Sequence, residues 1–122
     1  MQISGLDLKQ EIMRINNNVN ITMFGTGLRK QRVSVIEDKI IISADHKRIP
    51  ALAALDGKDR MTTRFIDVAI LDEYKCRLKK ELAEQINLTV KSVLKDYDPE
   101  HELAVTVIVL AEPICADHYK NL

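Results

Sequence analysis

A segment that combines two glycines with three basic residues is the part of the sequence best suited to binding an anion. It reads Phe24-Gly25-Thr26-Gly27-Leu28-Arg29-Lys30-Gln31-Arg32. The glycines leave backbone N–H groups accessible, and Arg29, Lys30 and Arg32 supply positive charge for a phosphate or another anionic partner. A dinucleotide-binding loop follows a strand and opens a helix, whereas this segment precedes a predicted strand. We therefore favour the simpler interpretation of a helix end followed by a solvated basic strand.

The other reactive residues form no recognisable catalytic or metal-binding set. Asp45 and His46 are neighbours that could exchange a proton, but no nucleophile or electrophilic group is evident beside them. Cys115 and His118 are two potential ligands where a zinc site needs three or four. Cys76 lies in no recognisable motif. We expect no catalytic residue, no metal and no cofactor, and we predict that the chain is not an enzyme.

The element that leads into the glycine-rich segment is a predicted helix. It is marked by apolar residues three or four positions apart, namely Leu8, Ile12, Ile15, Val19 and Met23. That spacing is typical of an amphipathic helix. Gly25 and Gly27 predict its end, because glycine reaches positive φ at little cost.

A hairpin and a short helix are predicted next. Residues 32–36 and 39–44 are rich in β-branched side chains, and only Glu37 and Asp38 separate them. Two such runs around a short polar turn predict a β-hairpin. Pro50 then suits the first turn of a helix, where its missing N–H costs nothing, and Gly57 predicts the end of that helix.

A long helix is predicted from about residue 61 to residue 86. Its apolar stripe consists of Phe65, Val68, Leu71, Tyr74, Leu78, Leu82 and Ile86. About 26 helical residues span roughly 39 Å, whereas a strand of about eight residues spans roughly 27 Å. We therefore expect this helix to extend beyond the sheet that it covers.

Residues 87–98 are compatible with two structures. They continue the helical stripe, but residues 88–94 are also rich in strand formers. A continued helix would be about 36 residues long, far above the usual length, so we predict a strand. Asp98 and Pro99 open a turn, and residues 103–111 form the most strongly predicted strand. Residues 112–122 are expected to be a loose tail.

The element order α-β-β-α-α-β-β predicts an α+β fold, a two-layer sandwich with a mainly antiparallel four-stranded sheet. Residues 40–42 and 107–110 are apolar at consecutive positions, so both faces of the sheet would be apolar. Either the first helix covers the second face or another subunit does. Together with the overhanging helix, this pattern favours a homodimer.

The composition is that of an ordinary globular domain. The 122 residues are 46% hydrophobic and 30% charged, which predicts a single domain over residues 1–122 with its core in about residues 6–111. No apolar run is long enough to span a bilayer, and the N-terminus lacks a signal-peptide core. Two cysteines are too few for a secreted disulfide framework. We expect a cytoplasmic protein.

The net charge is zero, but positive and negative charges are separated along the chain. Residues 25–64 carry nine Lys/Arg and five Asp/Glu, a balance of +4. Residues 65–122 carry seven against eleven, a balance of −4. This positive bias is weaker than that of most nucleic-acid-binding domains, so we do not expect nucleic acid as a partner.

Several short motifs within about residues 6–111 carry a family resemblance. They are Phe24-Gly25-Thr26-Gly27, Arg32-Val33-Ser34-Val35, Asp38-Lys39-Ile40-Ile41-Ile42, Ile49-Pro50-Ala51, Gly57-Lys58-Asp59-Arg60 and Leu82-Ala83-Glu84-Gln85-Ile86-Asn87-Leu88-Thr89. Their order and spacing resemble a small bacterial family labelled as the C component (MpsC) of a sodium-translocating, membrane-potential-generating system. The family usually has proline at the position of Leu28.

The resemblance implies a cytoplasmic, non-enzymatic interaction or regulatory module, an accessory to a membrane ion-transport complex with no membrane span of its own. It also groups six residues as a candidate anion or partner surface, namely Gly25, Gly27, Arg29, Lys30, Arg32 and Pro50. The alternative is a nucleotide- or RNA-binding domain, because the element order is similar to that of a type II KH domain. The turn at residues 55–60, which would correspond to the Gly-X-X-Gly loop of that domain, has one glycine and two acidic residues.

Overall fold

Residues 5–114, the part of the chain that the computed structural model describes, contain seven helices and strands. In chain order they are α1 (Gly5–Phe24), β1 (Lys30–Ile36), β2 (Lys39–Asp45), α2 (Pro50–Asp56), α3 (Arg60–Ile86), β3 (Val90–Asp98) and β4 (Leu103–Leu110). The predicted order α-β-β-α-α-β-β of an α+β fold is confirmed.

The described strands form one antiparallel sheet in the order β1-β2-β4-β3. β1 and β2 pair as the predicted hairpin, and Glu37 in its turn has a φ of 56°. β2 pairs with β4, which joins the two hairpins into one sheet. Asn87 ends α3 in the left-handed conformation, with a φ of 57°, and β3 then pairs with β4. The strand predicted within residues 87–98 is therefore confirmed.

α1 and α3 lie side by side on one face of the sheet, where their apolar stripes form the core. The buried core residues of the helices are Leu8, Ile12, Ile15, Val19, Tyr74, Leu78, Leu82 and Ile86. They pack against Val33, Ile40, Ile42, Val90, Val93, Ile108 and Leu110. We call the helix-covered face of the sheet the inner face and the opposite face the outer face.

Two apolar residues near the start of α3 do not belong to the core. Phe65 and Val68 are 73% and 56% exposed, so the prediction that they continue the buried stripe is wrong. The 27 residues of α3 span about 40 Å, whereas the 8 residues of β4 span about 27 Å. The helix therefore extends past the sheet. Phe65 is exposed because it lies nine residues, or about two and a half turns, before Tyr74 and so points away from the buried side of the helix, on which Thr63 is buried.

Buried amide groups join α1 to its neighbours. Asn16 is buried, and its Oδ1 accepts a hydrogen bond from the hydroxyl of Tyr74 on α3. The Asn16 Nδ2 donates to Oε1 of Gln31 on β1 at 3.1 Å. Because these partners satisfy a polar side chain inside the core, α1 continues without a break through an asparagine-rich stretch that is poorly suited to a helix.

The outer face is left open by the described helices. α1 packs on the inner face beside α3, so the alternative in which the first helix covers the second face is wrong. In the predicted loose tail at residues 112–122, the Ile114 N–H donates to the Glu37 carbonyl at 3.1 Å, and residues 115–122 lie outside the described residues. Between residues 5 and 114, no helix combines the length and hydropathy needed to cross a bilayer.

Candidate functional site

The local backbone explains both glycines of the predicted anion-binding segment without a bound anion. Gly25 follows α1 with a φ of +77°, and its N–H donates to the Ile21 carbonyl at 2.8 Å, which is the usual way to end a helix. A Cβ at Gly27 would lie 2.6 Å from Oδ1 of Asn17. The same oxygen accepts the Leu28 N–H at 2.9 Å. One backbone N–H of the segment is therefore already bound within the chain.

The basic residues of the predicted surface divide between two environments. Arg29 is exposed, and its Nη2 lies 3.7 Å from Oε1 of Glu102. Lys30 and Arg32 are exposed on β1 and alternate with Gln31 and the buried Val33, so they belong to the outer face.

Pro50 lies apart from these residues along the fold. It is the exposed first residue of α2, as its missing N–H predicts. The structure thus brings Lys30 and Arg32 together on one face of the sheet and places Pro50 on another element. Anion binding by the six residues stays a prediction.

The hypothetical acid–base pair at the end of β2 is not assembled. Asp45 lies on the outer face, where it lines a shallow depression with Lys30 and Arg32. His46 is buried on the other side, and its ring centre lies 4.4 Å from that of Phe24. The two side chains therefore line separate parts of the surface and do not act on a common ligand.

A buried arginine forms the most extensive charged cluster in the described chain. Arg48 donates from Nε and Nη2 to the carboxylate of Asp56 at 2.9 and 2.8 Å, and from Nη1 to Asp67 at 2.6 Å. Its backbone N–H donates to Glu102 at 2.6 Å. The hydrogen bonds from Arg48 lower the pKa of Asp56 to about 2. This cluster fastens the β2–α2 connection to α3. Sequence reasoning missed it, because only the fold brings positions 48, 56, 67 and 102 together.

A small cleft beside this cluster contains a buried amine. The Nζ of Lys95 lies 3.4 Å from the ring centre of Tyr74, and burial lowers the pKa of Lys95 to about 8. Burial, with the nearby charge of Lys95, lowers the pKa of His46 to about 4. The cleft has a volume of about 30 Å³, which is room for about two water molecules. Its charge suits a small anion or water, and its size excludes larger ligands unless the surrounding side chains move.

The centre of the outer face is apolar. The strand register places seven apolar side chains near one another, namely Ile36, Ile41, Leu94, Leu103, Val105, Val107 and Val109. Leu94 is 56% exposed and Val105 is 37% exposed. Burial alternates along β2 and β4, which shows that these side chains point away from the helices. A continuous apolar patch on a sheet face is typical of a surface that another protein covers.

Opposite charges lie at the two edges of this patch. β1 contributes Lys30 and Arg32, which we call the basic edge, and β3 contributes Asp96 and Asp98, which we call the acidic edge. The register aligns Arg32, Ser43, Val105 and Asp96 in one row across the sheet. The neighbouring row consists of Lys30, Asp45, Leu103 and Asp98. The outer face is therefore positive at the β1 edge, negative at the β3 edge and apolar along β4, while the central strand β2 contributes Ile41 together with the charged Lys39 and Asp45.

A second apolar surface lies on the overhanging part of α3. Met61 and Phe65 are each 73% exposed, and Val68 follows one turn later on the same side of the helix. Arg60 and Arg64 flank them. This surface belongs to the helical layer and is therefore separate from the outer face.

Two remaining groups of residues contain potential metal ligands. Asp98, Glu100 and His101 are exposed and close enough to meet at one cation, but Asp98 already accepts backbone N–H bonds within the turn. The Cys115 and His118 pair lies outside the described residues. Both observations leave the expectation of no bound metal as a prediction.

In the turn that would correspond to a KH nucleic-acid loop, both acidic side chains are bound within the chain. Asp56 is bound by Arg48, and the Asp59 side chain accepts the Thr62 N–H at 3.1 Å as the N-cap of α3. Its two carboxylates would also repel a phosphate backbone.

Comparisons with protein-family models, with curated proteins and with solved structures find no match for this chain. The resemblance to the MpsC-like family therefore stays a prediction.

Proposed function

We propose that this chain is a non-enzymatic interaction module that works as a homodimer, with the outer face as the contact surface between subunits. The observation that carries the proposal is the apolar centre of that face, which no described helix covers. An aliphatic sheet face needs a second layer, because exposed Val, Ile and Leu side chains are stabilised by removal from water.

The energetics favour association over permanent exposure. Each square ångström of apolar surface removed from water contributes about 25 cal/mol. Leu94, Leu103 and Val105 are exposed enough to lose considerable area when covered. The inner face already has its covering layer of α1 and α3, so the outer face is where a second protein layer adds the most.

The proposed biological role follows from the resemblance of the sequence to the MpsC-like family. In that role the dimer is a cytoplasmic accessory to a membrane ion-transport complex. The overhanging stripe of α3 lies on the helical layer, so it stays available to another protein when the outer faces are paired. A reducing compartment also suits the exposed, unpaired Cys76.

The test is the solution mass of variants that place a charge on each candidate surface. Val107→Lys and Leu94→Lys put an ammonium group on the outer face, and we expect both to be monomers at about 100 µM, where the wild type is a dimer. Phe65→Lys on the α3 overhang is the matched control and should remain dimeric. Circular dichroism checks that every variant keeps its fold.

A wild-type monomer at that concentration would contradict the proposal. A dimer that Phe65→Lys dissociates and Val107→Lys leaves intact would place the contact on α3 instead of the outer face.

A further inference from the structure

The two edges of the outer face carry opposite charges at the same height along the strands. Arg32 on β1 and Asp96 on β3 belong to one row, and Lys30 and Asp98 belong to the next. Neighbouring strands are about 4.8 Å apart, so the two edges are separated by about 14 Å, which exceeds the Debye length at physiological salt. Within one chain these charges barely interact. Only a second chain stacked on the outer face would bring charges of opposite sign from the two edges into contact.

A two-fold axis between two stacked sheets can run in two directions. An axis perpendicular to the strands places β1 over β1 of the partner and reverses the rows. Arg32 then faces Ser34 of the partner subunit, Asp96 faces Leu94 of the partner subunit, and Lys39 faces Asp45 of the partner subunit. An axis parallel to the strands places β1 over β3 of the partner, and each row then faces the same row of the partner. Arg32 then faces Asp96 of the partner subunit, and Lys30 faces Asp98 of the partner subunit.

Resting on the dimer proposed above, we propose that two copies of this chain stack by their outer faces around a two-fold axis parallel to the strands, with the basic edge of each copy against the acidic edge of the other. In the middle, the apolar side chains of β4 lie against β2 of the partner, and the charges pair along both rims. The parallel axis makes four pairs of opposite charge along the rims and leaves Asp45 against Leu103 of the partner subunit. The perpendicular axis makes only two such pairs, between Lys39 and Asp45 of the partner subunit, and leaves the carboxylate of Asp96 against a leucine side chain.

The dimensions of the sheet agree with a reversible dimer. Its strands cover about 19 Å by 27 Å, so stacking covers about 500 Å² on each subunit. The total of about 1,000 Å² is near the lower limit for a specific interface. At this size the rim charges have a strong influence on which arrangement forms, because the parallel axis pairs the basic edge with the acidic edge, whereas the perpendicular axis stacks each edge on an edge of its own sign.

Charge reversal tests the axis directly. Arg32→Asp alone and Asp96→Arg alone each place two pairs of like charges in the proposed interface, and we expect the dissociation constant to rise about tenfold or more. A mixture of the two single variants should form a heterodimer, since both rim contacts are then between opposite charges. The double variant Arg32→Asp/Asp96→Arg should recover the wild-type dimer. Lys58→Asp, a charge reversal in the α2–α3 turn, is the matched control and should leave the dimer unchanged.

The readout is sedimentation or light scattering, with native mass spectrometry to identify heterodimers. Single variants that dimerise as well as the wild type, or a mixture without preference for the heterodimer, would overturn the parallel axis. If Val107→Lys is still a monomer in that case, the outer-face dimer survives and only its geometry is wrong. If the wild type itself is a monomer, both proposals fail together.

Discussion

His46 and Arg48 lie two positions apart after β2, and the fold favours the charged form of Arg48 but disfavours that of His46. Arg48 is buried against the carboxylates of Asp56 and Asp67 and keeps its charge. His46 is buried between aromatic rings, where the protonated imidazole is disfavoured. The sequence predicts neither outcome, because no local pattern states which residues of α2 and α3 lie beside the end of β2.

Burial of His46 makes the stability of the fold depend on pH. Its pKa is about 4 in the folded chain, below the ordinary value of 6.5. Between these values the unfolded chain takes up a proton that the folded chain does not, so the free energy of unfolding decreases as the pH falls from 6.5 to 4. The full loss is about 3 kcal/mol. Urea unfolding at several pH values should show this decrease in the wild type.

Two variants separate His46 from the other histidine of the described chain. His46→Gln should remove most of the decrease above about pH 5, whereas the loss closer to pH 4 from aspartates with lowered pKa values, such as Asp56, should remain. His101→Gln should keep the decrease above about pH 5, because His101 is exposed and its pKa is raised by its hydrogen bond with Asp98. An equal pH dependence in His46→Gln and the wild type would show that His46 titrates normally.

At the scale of elements, the sequence predicts most of the fold and fails at the start of α3, where the apolar spacing leaves the buried side of the helix. β-branched runs and a left-handed Asn87 specify the strands and the end of α3, because these signals are local. The stripe of α3 fails at Phe65, because three successive steps of three residues separate it from Tyr74 and carry it to the opposite side of the helix, whereas Thr63 is on the buried side. The glycines of the α1–β1 connection correctly predict a helix end, but the close approach at Gly27 depends on Asn17, about two turns before the end of α1.

The α1–β1 connection provides the element-scale prediction. Gly27→Ala places a Cβ 2.6 Å from Oδ1 of Asn17, so the amide must move and its bond to the Leu28 N–H is lost. We expect a loss of about 1 kcal/mol in the free energy of unfolding, the usual contribution of one such hydrogen bond. Thermal or urea unfolding measures it.

Gly57→Ala is the matched control. A Cβ at Gly57 meets nothing within 4 Å, and its φ of −81° suits any residue, so this variant should be neutral or slightly stabilising. Introducing Gly27→Ala into an Asn17→Ala background should cost much less than in the wild type. An unchanged cost there would mean that the strain arises elsewhere.

At the scale of the whole molecule, strand order converts a separation of charge along the chain into a separation across a surface. β1 belongs to the positive segment at residues 25–64 and β3 to the negative segment at residues 65–122. The order β1-β2-β4-β3 places them at opposite edges. The sequence shows the charge balance and the doubly apolar strands. It does not show that Arg32 and Asp96 share a row, because that depends on the pairing of β2 with β4 between distant segments.

The proposed dimer also predicts that stability depends on protein concentration. A partner that binds only the folded chain stabilises it by mass action, so the outer faces should protect the fold more as the chain becomes more concentrated. For unfolding of a dimer to two chains, each tenfold increase in concentration adds about 1.4 kcal/mol per dimer. Between about 1 and 100 µM, the urea midpoint of the wild type should therefore rise, and that of Val107→Lys should stay constant. The dependence should weaken at high salt if the rim pairs contribute, because exposed charges are screened. A wild-type midpoint that is constant over this range would mean that the outer face remains in water and that the fold tolerates it without a partner.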